Sequence, residues 1–266
     1  MSKKITELVS GAEQAPALYL NLLKKSLTNT FFVEEPDVDQ ESQAQFVQGF
    51  VQHYIQGAAI TMLPMARLNN IQNAVEDTIN NDIPGDLVET GVWRGGATMF
   101  MRAILKAYGV QGKDVWVADS FEGLPEPDPE SRPIEAKAHS GKVMKDVYKK
   151  FAVDIDEVKR NFQAYDLLDE RVHFLKGWFK DTLKDAPIDK LSIMRLDGDY
   201  YESTRDALVG LYDRLSIGGY VIIDDYGEAG WTYCKQAVDE FRDERKIDDE
   251  LVKVDSKCYY WKRTKA

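Results

Sequence analysis

Leu87-Val-Glu-Thr-Gly-Val-Trp-Arg-Gly-Gly96 is the stretch on which the reading of this chain turns. Asp86 to Gly91 has the apolar content of a buried strand. Gly91, Gly95 and Gly96 then make a tight turn, and Ala97 to Tyr108 carries helix formers with apolar residues at helical spacing. A strand, a glycine-rich turn and a helix N-terminus form a cradle, because glycine lets a ligand approach the backbone closely. The turn matches neither the G-x-G-x-x-G of dinucleotide sites nor the P-loop. A strand-end acid, Glu89, with a glycine two residues later suggests S-adenosylmethionine instead. The plain alternative is an ordinary tight turn between strand and helix.

Outward from that stretch, strands and helices alternate, which predicts a parallel sheet with helices on both faces. Strands are expected at Asp86–Gly91, Asp114–Asp119, Val172–Leu175, Leu191–Leu196 and Tyr220–Ile223. Helices are expected near Thr98–Tyr108, Asp154–Tyr165 and Glu202–Leu215. Leu251–Asp255 and Cys258–Lys262 read as two strands joined at Ser256-Lys257. A mostly parallel sheet finished by an antiparallel hairpin is the class I methyltransferase arrangement, a Rossmann-like α/β fold; nicotinamide-binding folds end in a sixth parallel strand.

Residues 1–85 read as a helical extension, with periodicity over Ala15–Leu27, Glu41–Gln56 and Thr61–Asn81. It can pack on the sheet, cover the site or mediate dimerisation. Phe46, Phe50 and Tyr54 recur at i, i+4 and i+8, a buried stripe before anything else. Residues 86–266 form the catalytic part. Within it, residues 123–142 make a Pro- and charge-rich interruption at the C-terminal end of a strand, where ligands bind in open α/β sheets, so a substrate lid is expected there.

Bulk properties narrow the function. The chain has 266 residues, 45 acidic and 34 basic, with net charge -11, which argues against a nucleic-acid surface. Two cysteines, Cys234 and Cys258, fit a reducing cytoplasm better than a disulfide framework. No run of about 18 apolar residues exists to span a membrane, so a cytoplasmic location is expected.

Acids end three of the strands. Asp119 can accept both ribose hydroxyls of an adenosyl cofactor, or simply cap the next turn. Asp197, in Leu196-Asp-Gly-Asp-Tyr-Tyr-Glu202, and Asp224 and Asp225, in Ile223-Asp-Asp-Tyr-Gly227, end neighbouring strands and should converge. Three carboxylates in one cleft repel unless a cation or protons neutralise them, and hard oxygen ligands suit Mg²⁺, Mn²⁺ or Ca²⁺. Asp199 points away from that trio if the chain stays extended, or turns toward a substrate. Arg94 can meet the methionyl carboxylate or stand solvated. His53, His139 and His173 have no partner at ligand spacing.

Val88-Glu-Thr-Gly-Val-Trp-Arg-Gly-Gly-Ala97, Val115-Trp-Val-Ala-Asp-Ser-Phe-Glu-Gly-Leu-Pro125, Gly177-Trp-Phe-Lys180, Arg195-Leu-Asp-Gly-Asp-Tyr-Tyr-Glu-Ser-Thr204 and Ile223-Asp-Asp-Tyr-Gly227 together resemble the macrocin O-methyltransferase family, which includes the mycinamicin and novobiocin sugar O-methyltransferases. The resemblance runs from about Tyr19 to Arg263. It implies methylation of a sugar hydroxyl on a natural product, dependent on S-adenosylmethionine and Mg²⁺. By match to the family's motifs, Asp197, Asp224 and Asp225 are implied as metal ligands and Asp199 as general base. Glu89, Thr90, Gly91, Val92, Trp93, Arg94, Asp119, Ser120, Phe121, Gly177 and Trp178 match cofactor-contacting positions. A homodimer is implied, or a higher homo-oligomer, acting on a small glycosylated acceptor.

Two segments depart from the family pattern: Ile60-Thr61-Met62, where a His-Thr-Met is typical, and Ser256-Lys-Cys-Tyr-Tyr260, bulkier than a Gly-containing turn. Catechol-like or other vicinal-diol acceptors stay open. So does a metal-dependent glycosyltransferase, since Asp197-Gly-Asp199 is a D-x-D triplet, and so does a binding module that has lost turnover.

Overall fold

A computed structural model describes residues 14–31, 51–140, 148–227 and 232–265. Its centre is a seven-stranded sheet in the order β3-β2-β1-β4-β5-β7-β6. β1 is Asp86–Thr90, β2 Val115–Asp119, β3 Val172–Lys176, β4 Leu191–Leu196 and β5 Leu215–Ile223, all parallel. β6 (Val252–Lys253) and β7 (Tyr259–Lys262) form the closing hairpin, with β7 antiparallel to β5. This is the expected class I methyltransferase sheet. The chain steps outward from β1 to β3, then restarts at β4 on the other side of β1. The β1/β4 boundary is therefore the topological switch, the place where open α/β sheets bind ligands at their C-terminal strand ends.

β1 and β4 are almost wholly buried, as strands covered on both faces must be, and their apolar residues run continuously rather than alternating. One core lies between the sheet and the helices α1 (Gln14–Thr28), α2 (Met65–Asn80) and α3 (Gly96–Ala107), with α5 (Ile155–Ala164) closing its far side. The opposite face packs on α7 (Tyr201–Leu211) and α8 (Thr232–Arg245). The amino-terminal helices thus bury their apolar faces on α3, with Leu20, Leu27, Leu68 and Ile71 fully inside.

Several boundaries move from the expected ones. Pro64 is the N-cap of α2, so that helix starts at Met65 rather than Thr61. α7 stops at Leu211 and continues as a 3₁₀ turn over Tyr212–Arg214, because Leu215 is already paired with Leu191 as the first residue of β5. Asp154 caps α5 by accepting the Asp156 N–H at 2.8 Å. Tyr54 is buried in a short π-helical turn (Val51–Ile55), whereas Phe46 and Phe50 lie outside the described residues.

Three helices were not anticipated. α8 carries its own core periodicity in Cys234, Ala237, Val238 and Phe241. α6 (Phe179–Thr182) is a single turn. Inside the expected lid loop, Pro133–Ser140 forms α4, started by a proline at its first position; residues 141–142 lie outside the described part. Among the described residues, no helix is long and apolar enough to cross a membrane.

At the N-terminal edge of the sheet a single ammonium ties three segments together. Lys113 Nζ donates to the carbonyls of Ile83 (2.6 Å) and Gly85 (2.8 Å) and to Ser192 Oγ (2.9 Å). Burial pulls its pKa from the ordinary 10.5 down to about 8, against the pull of nearby Asp86. Between those values the unfolded chain binds more protons at this site than the native one, so the Lys113 contribution to stability rises with pH. The unfolding free energy of the native sequence minus that of Lys113→Met, from urea titrations, should therefore rise in algebraic value from about pH 8 to about 10.5; a constant or falling value would contradict this.

Candidate active site

The site lies where β1, β2, β4 and β5 end, and its centre is a guanidinium. Arg195 stands on β4 directly opposite Glu89 on β1, the two residues being in register. Its side chain is about 1% exposed. Nη1 donates to Glu89 Oε1 and, at 2.9 Å, to Asp197 Oδ2; Nη2 donates to Asp224 Oδ1 at 2.6 Å. Thr98 Oγ1 on α3 donates to the other Glu89 oxygen. A second guanidinium comes from α2: Arg67 Nη1 donates to Asp224 Oδ2, and its Nε and Nη2 hold Asp255 in the closing hairpin at 2.6 and 3.2 Å.

The expected trio does converge. Ligand oxygens of Asp197, Asp224 and Asp225 lie within 4.8 Å of one another. The carboxylates respond differently to their surroundings. Asp224, buried but held by Arg195 and Arg67, stays below its usual pKa. Burial raises Asp197 to about 6 in spite of Arg195. Burial, with the charges of Asp199, Asp197 and Asp224, pushes Asp225 well up, and its Oδ2 is buried without a hydrogen-bond partner. Six carboxylates (Glu89, Asp197, Asp199, Asp224, Asp225 and Asp255) thus share two arginines, with the charge of Lys257 acting on Asp199. An orphaned carboxylate oxygen, an excess of negative charge and an all-oxygen donor set fit a hard divalent cation.

Asp199 does not continue the strand. Its φ is +60°, in the left-handed region, which takes the chain off the path of the strand. Tyr200 N–H closes the turn onto the Gly198 carbonyl at 2.6 Å. Asp199 is partly exposed beside the trio, and burial together with the charges of Asp197 and Asp224 raises its pKa well above the carboxylate range.

The donor half is assembled around Asp119. Its Oδ2 accepts the Val92 N–H and its Oδ1 the Phe121 N–H, both at 2.7 Å, so one carboxylate joins the turns after β1 and β2. Gly177 N–H donates to the Asp119 carbonyl at 2.9 Å, bringing the β3 end alongside, and Trp178 starts α6 there. Ser120 Oγ braces the same loop through the Gly123 carbonyl at 3.0 Å. Trp93 (φ +48°) and Phe121 (φ +58°) are both forced into the left-handed region at the rim. Thr90 Oγ1, at the end of β1, is buried without a partner.

Two expected cofactor contacts are engaged elsewhere in the protein. Glu89 is bound by Arg195 and Thr98, as above. Arg94 stacks on Trp93 at 4.4 Å, and its Nη1 donates to the carbonyls of Tyr54, Gly57 and Ala59 at 3.2, 3.3 and 2.7 Å, fastening the amino-terminal segment over the turn. The glycines also serve the protein itself. A Cβ on Gly91, whose φ is +83°, would stand 1.9 Å from the Asp197 carbonyl oxygen; one on Gly96 would stand 2.6 Å from that of Ile60.

Each histidine has a partner within the protein: His53 on the Thr28 carbonyl, His173 on Asp114 and His139 on Tyr200. Sequence reading assigned no role to Arg195, Arg67, Asp255 or Glu135. For Arg195 and Arg67 a signal was present, since a charged residue inside an apolar strand or on an apolar helix stripe must have a partner; Asp255 and Glu135, in segments without apolar periodicity, carried none.

A parallel sheet with an antiparallel β7 beside β5, and a glycine turn after β1, defines a class I methyltransferase. The macrocin O-methyltransferase family model matches residues 55–263. The demethyldecarbamoylnovobiocin O-methyltransferase of Streptomyces niveus is 44% identical, over 98% of this chain and 99% of its own length. The mycinamicin III 3''-O-methyltransferase of Micromonospora griseorubida is 43% identical, over 93% and 96%. The solved structure of the O-methyltransferase NovP superposes with TM-score 0.81 at 47% identity, covering 94% of this chain and 100% of that one. The calicheamicin methyltransferase CalS11, at 18% identity and TM-score 0.60, shares the fold. The chain belongs to the macrocin O-methyltransferase family. It is an S-adenosylmethionine-dependent O-methyltransferase, which sets aside the glycosyltransferase reading of Asp197-Gly-Asp199.

Removing Arg195 leaves Glu89, Asp197 and Asp224 buried without their shared cation. Arg195→Met should lower unfolding free energy by roughly 3–5 kcal/mol, read as a shift in the urea midpoint. A midpoint shift worth under about 1 kcal/mol would show that the network is not integral to the fold.

Proposed function

We propose that this enzyme methylates a hydroxyl on the sugar of a glycosylated natural product, with a divalent cation, Mg²⁺ by preference, held by Asp197, Asp224 and Asp225. The observation that supports the cation is Asp225 Oδ2, buried and unpartnered inside a cluster of excess carboxylates. The glycosylated acceptor is supported by the relatives, whose names describe methylation of novobiocin, mycinamicin and rhamnosyl-tetracenomycin intermediates. When bound, the cation supplies Lewis-acid stabilisation of the acceptor oxygen as it loses its proton.

The chain's own residues do the rest. Asp199, turned out of the strand beside the trio, takes the proton from the acceptor hydroxyl; burial and like charges raise its pKa toward that of a useful base. The oxygen then takes the methyl group as its bond to sulfur breaks, leaving the neutral thioether. Asp119 binds the ribose of the donor with the acceptor capacity left after the N–H groups of Val92 and Phe121 and, at 3.4 Å on Oδ1, the Ser120 hydroxyl. Val92, Trp93, Ser120, Phe121, Gly177 and Trp178 enclose the donor, with Thr90 Oγ1 available as a hydrogen-bonding group at its base. Glu89 and Arg94 serve the donor by holding the turn, the first through Arg195 and the second through residues 54–59.

Residues 1–85 act as the cover of the site, and residues 123–142 as its lid. The enzyme works as a homo-oligomer. Its buried free thiols, Cys234 and Cys258, suit a reducing cytoplasm.

Methyl transfer to a panel of glycosylated metabolites and catechols, with Mg²⁺ or with a chelator, tests these readings together. Expected are turnover on sugars, a loss of about 100-fold or more on chelation, and a similar loss in Asp225→Asn. Full activity under chelation would refute the cation; catechol methylation without sugar methylation would refute the acceptor class.

A further inference from the structure

Among the described residues, the hydrogen bonds and the ion pair that Arg132, Glu135 and His139, in and just before α4, make to distant chain converge on one short stretch, with Tyr148 and Tyr233 packed beside it. Arg132, immediately before the helix, lies 3.6 Å over the ring of Tyr201, 5.4 Å from that of Tyr233, and pairs with Glu202 at 3.3 Å. Glu135, only 5% exposed, accepts the Tyr201 N–H on Oε1 at 3.1 Å. His139 Nδ1 meets the Tyr200 hydroxyl at 3.1 Å, its ring stacked on Tyr148 with centroids 5.5 Å apart. Tyr200, Tyr201 and Glu202 are the three residues that follow Asp199.

α7 has no N-cap of its own. Its N-cap residue is Tyr200, whose side chain makes no cap hydrogen bond, so an amide of its first turn relies on Glu135 from another helix. On the other side of Asp199, Asp197 N–H is fixed to the Thr90 carbonyl at 2.9 Å. The left-handed turn at Asp199 is therefore clamped between the sheet before it and α4 after it.

We infer that α4 is a positioning element for Asp199, with Glu135 supplying in trans the cap that α7 lacks and Arg132 clamping the same turn from the solvent side. This rests on Asp199 being the base. Seating α4 then completes the catalytic geometry in the same movement that covers the acceptor, so an enzyme with α4 unseated binds donor but transfers slowly. The residues involved are positioning residues, because none of them touches the reacting atoms.

Steady-state methyl transfer and hydrogen–deuterium exchange on the full chain test this. Glu135→Ala should lower kcat by about 10- to 100-fold, as expected for a base displaced by about an ångström, with KM for S-adenosylmethionine unchanged and amides of residues 199–203 exchanging faster. Glu135→Gln keeps the acceptor oxygen for Tyr201 N–H and should recover kcat to within about threefold, which a need for the carboxylate's charge would not allow. Arg132→Ala should give the same split of kcat from KM, and guards against a Glu135→Ala protein that fails to fold.

Full kcat in both alanine variants, no recovery in Glu135→Gln, or unchanged exchange at 199–203 would each overturn the inference. Asp199→Asn, measured alongside, separates the two claims. Full turnover there removes Asp199 as base, while the exchange rates still decide whether α4 holds the turn.

Discussion

The whole C-terminal face of the sheet depends on one buried guanidinium. Arg195 sits in the middle strand of the site with β1 on one side and β5 on the other, and it bonds an acid from each, together with one from its own strand end. A buried charge without partners costs several kcal/mol, so any slip of β1 or β5 against β4 that separated these groups would be penalised heavily. Glu89 opposite Arg195 is thus a register pin. The same contacts aim Asp197 and Asp224 at a common point. Fold and site share one interaction.

Arg67 extends that logic beyond the sheet. It projects from α2, in the amino-terminal extension, and bridges Asp224 to Asp255 of the closing hairpin. The extension therefore contributes a charge to the site rather than only a covering surface, and the hairpin is locked to the site by the same side chain. Gly227 sharpens the fit, since a Cβ there would stand 1.9 Å from the Ser256 carbonyl oxygen. Arg67 thus reaches a carboxylate, that of Asp224, 157 residues away in sequence, which Arg195 holds from the other side.

The strand–turn–helix after β1, the sheet type and the convergence of Asp197, Asp224 and Asp225 were all legible, because strand ends and apolar runs are local signals. What each charge bonds was not. Glu89 read as a ligand group because its partner, Arg195, is 106 residues away and becomes a neighbour only through β1–β4 pairing. Arg94 read as a cation for the donor, whereas its Nη1 is engaged by carbonyls that only tertiary packing brings over the turn. α4 was hidden because prolines and charges around it look like loop, and its single buried acid, Glu135, gives no periodicity to detect. The expected β5 began at Tyr220, yet the strand starts at Leu215 and runs through Gly218 and Gly219, residues that break the apolar run, with a shift in its pairing to β4.

Non-glycine residues at positive φ fall into two groups among the described residues: Asn29, Asp82, Asp166 and Lys246 follow helices, whereas Trp93, Phe121 and Asp199 each lie in the turn that follows a strand of the central sheet, β1, β2 and β4 respectively. Each such residue costs on the order of 1–3 kcal/mol and persists only where its surroundings over-determine it. Trp93 Nε1 donates to the Lys150 carbonyl at 3.2 Å, Phe121 N–H is taken by Asp119, and the turn at Asp199 lies between the Asp197 N–H bond to β1 and the Tyr201 N–H bond to α4. At β1 and β2 the strained residues are aromatics that pack into the core, Trp93 and Phe121 being 9% and 6% exposed, whereas at β4 it is a carboxylate, Asp199, left partly exposed beside Asp197 and Asp224. The first two fix the turns joined by Asp119, and the third takes Asp199 off the path of β4.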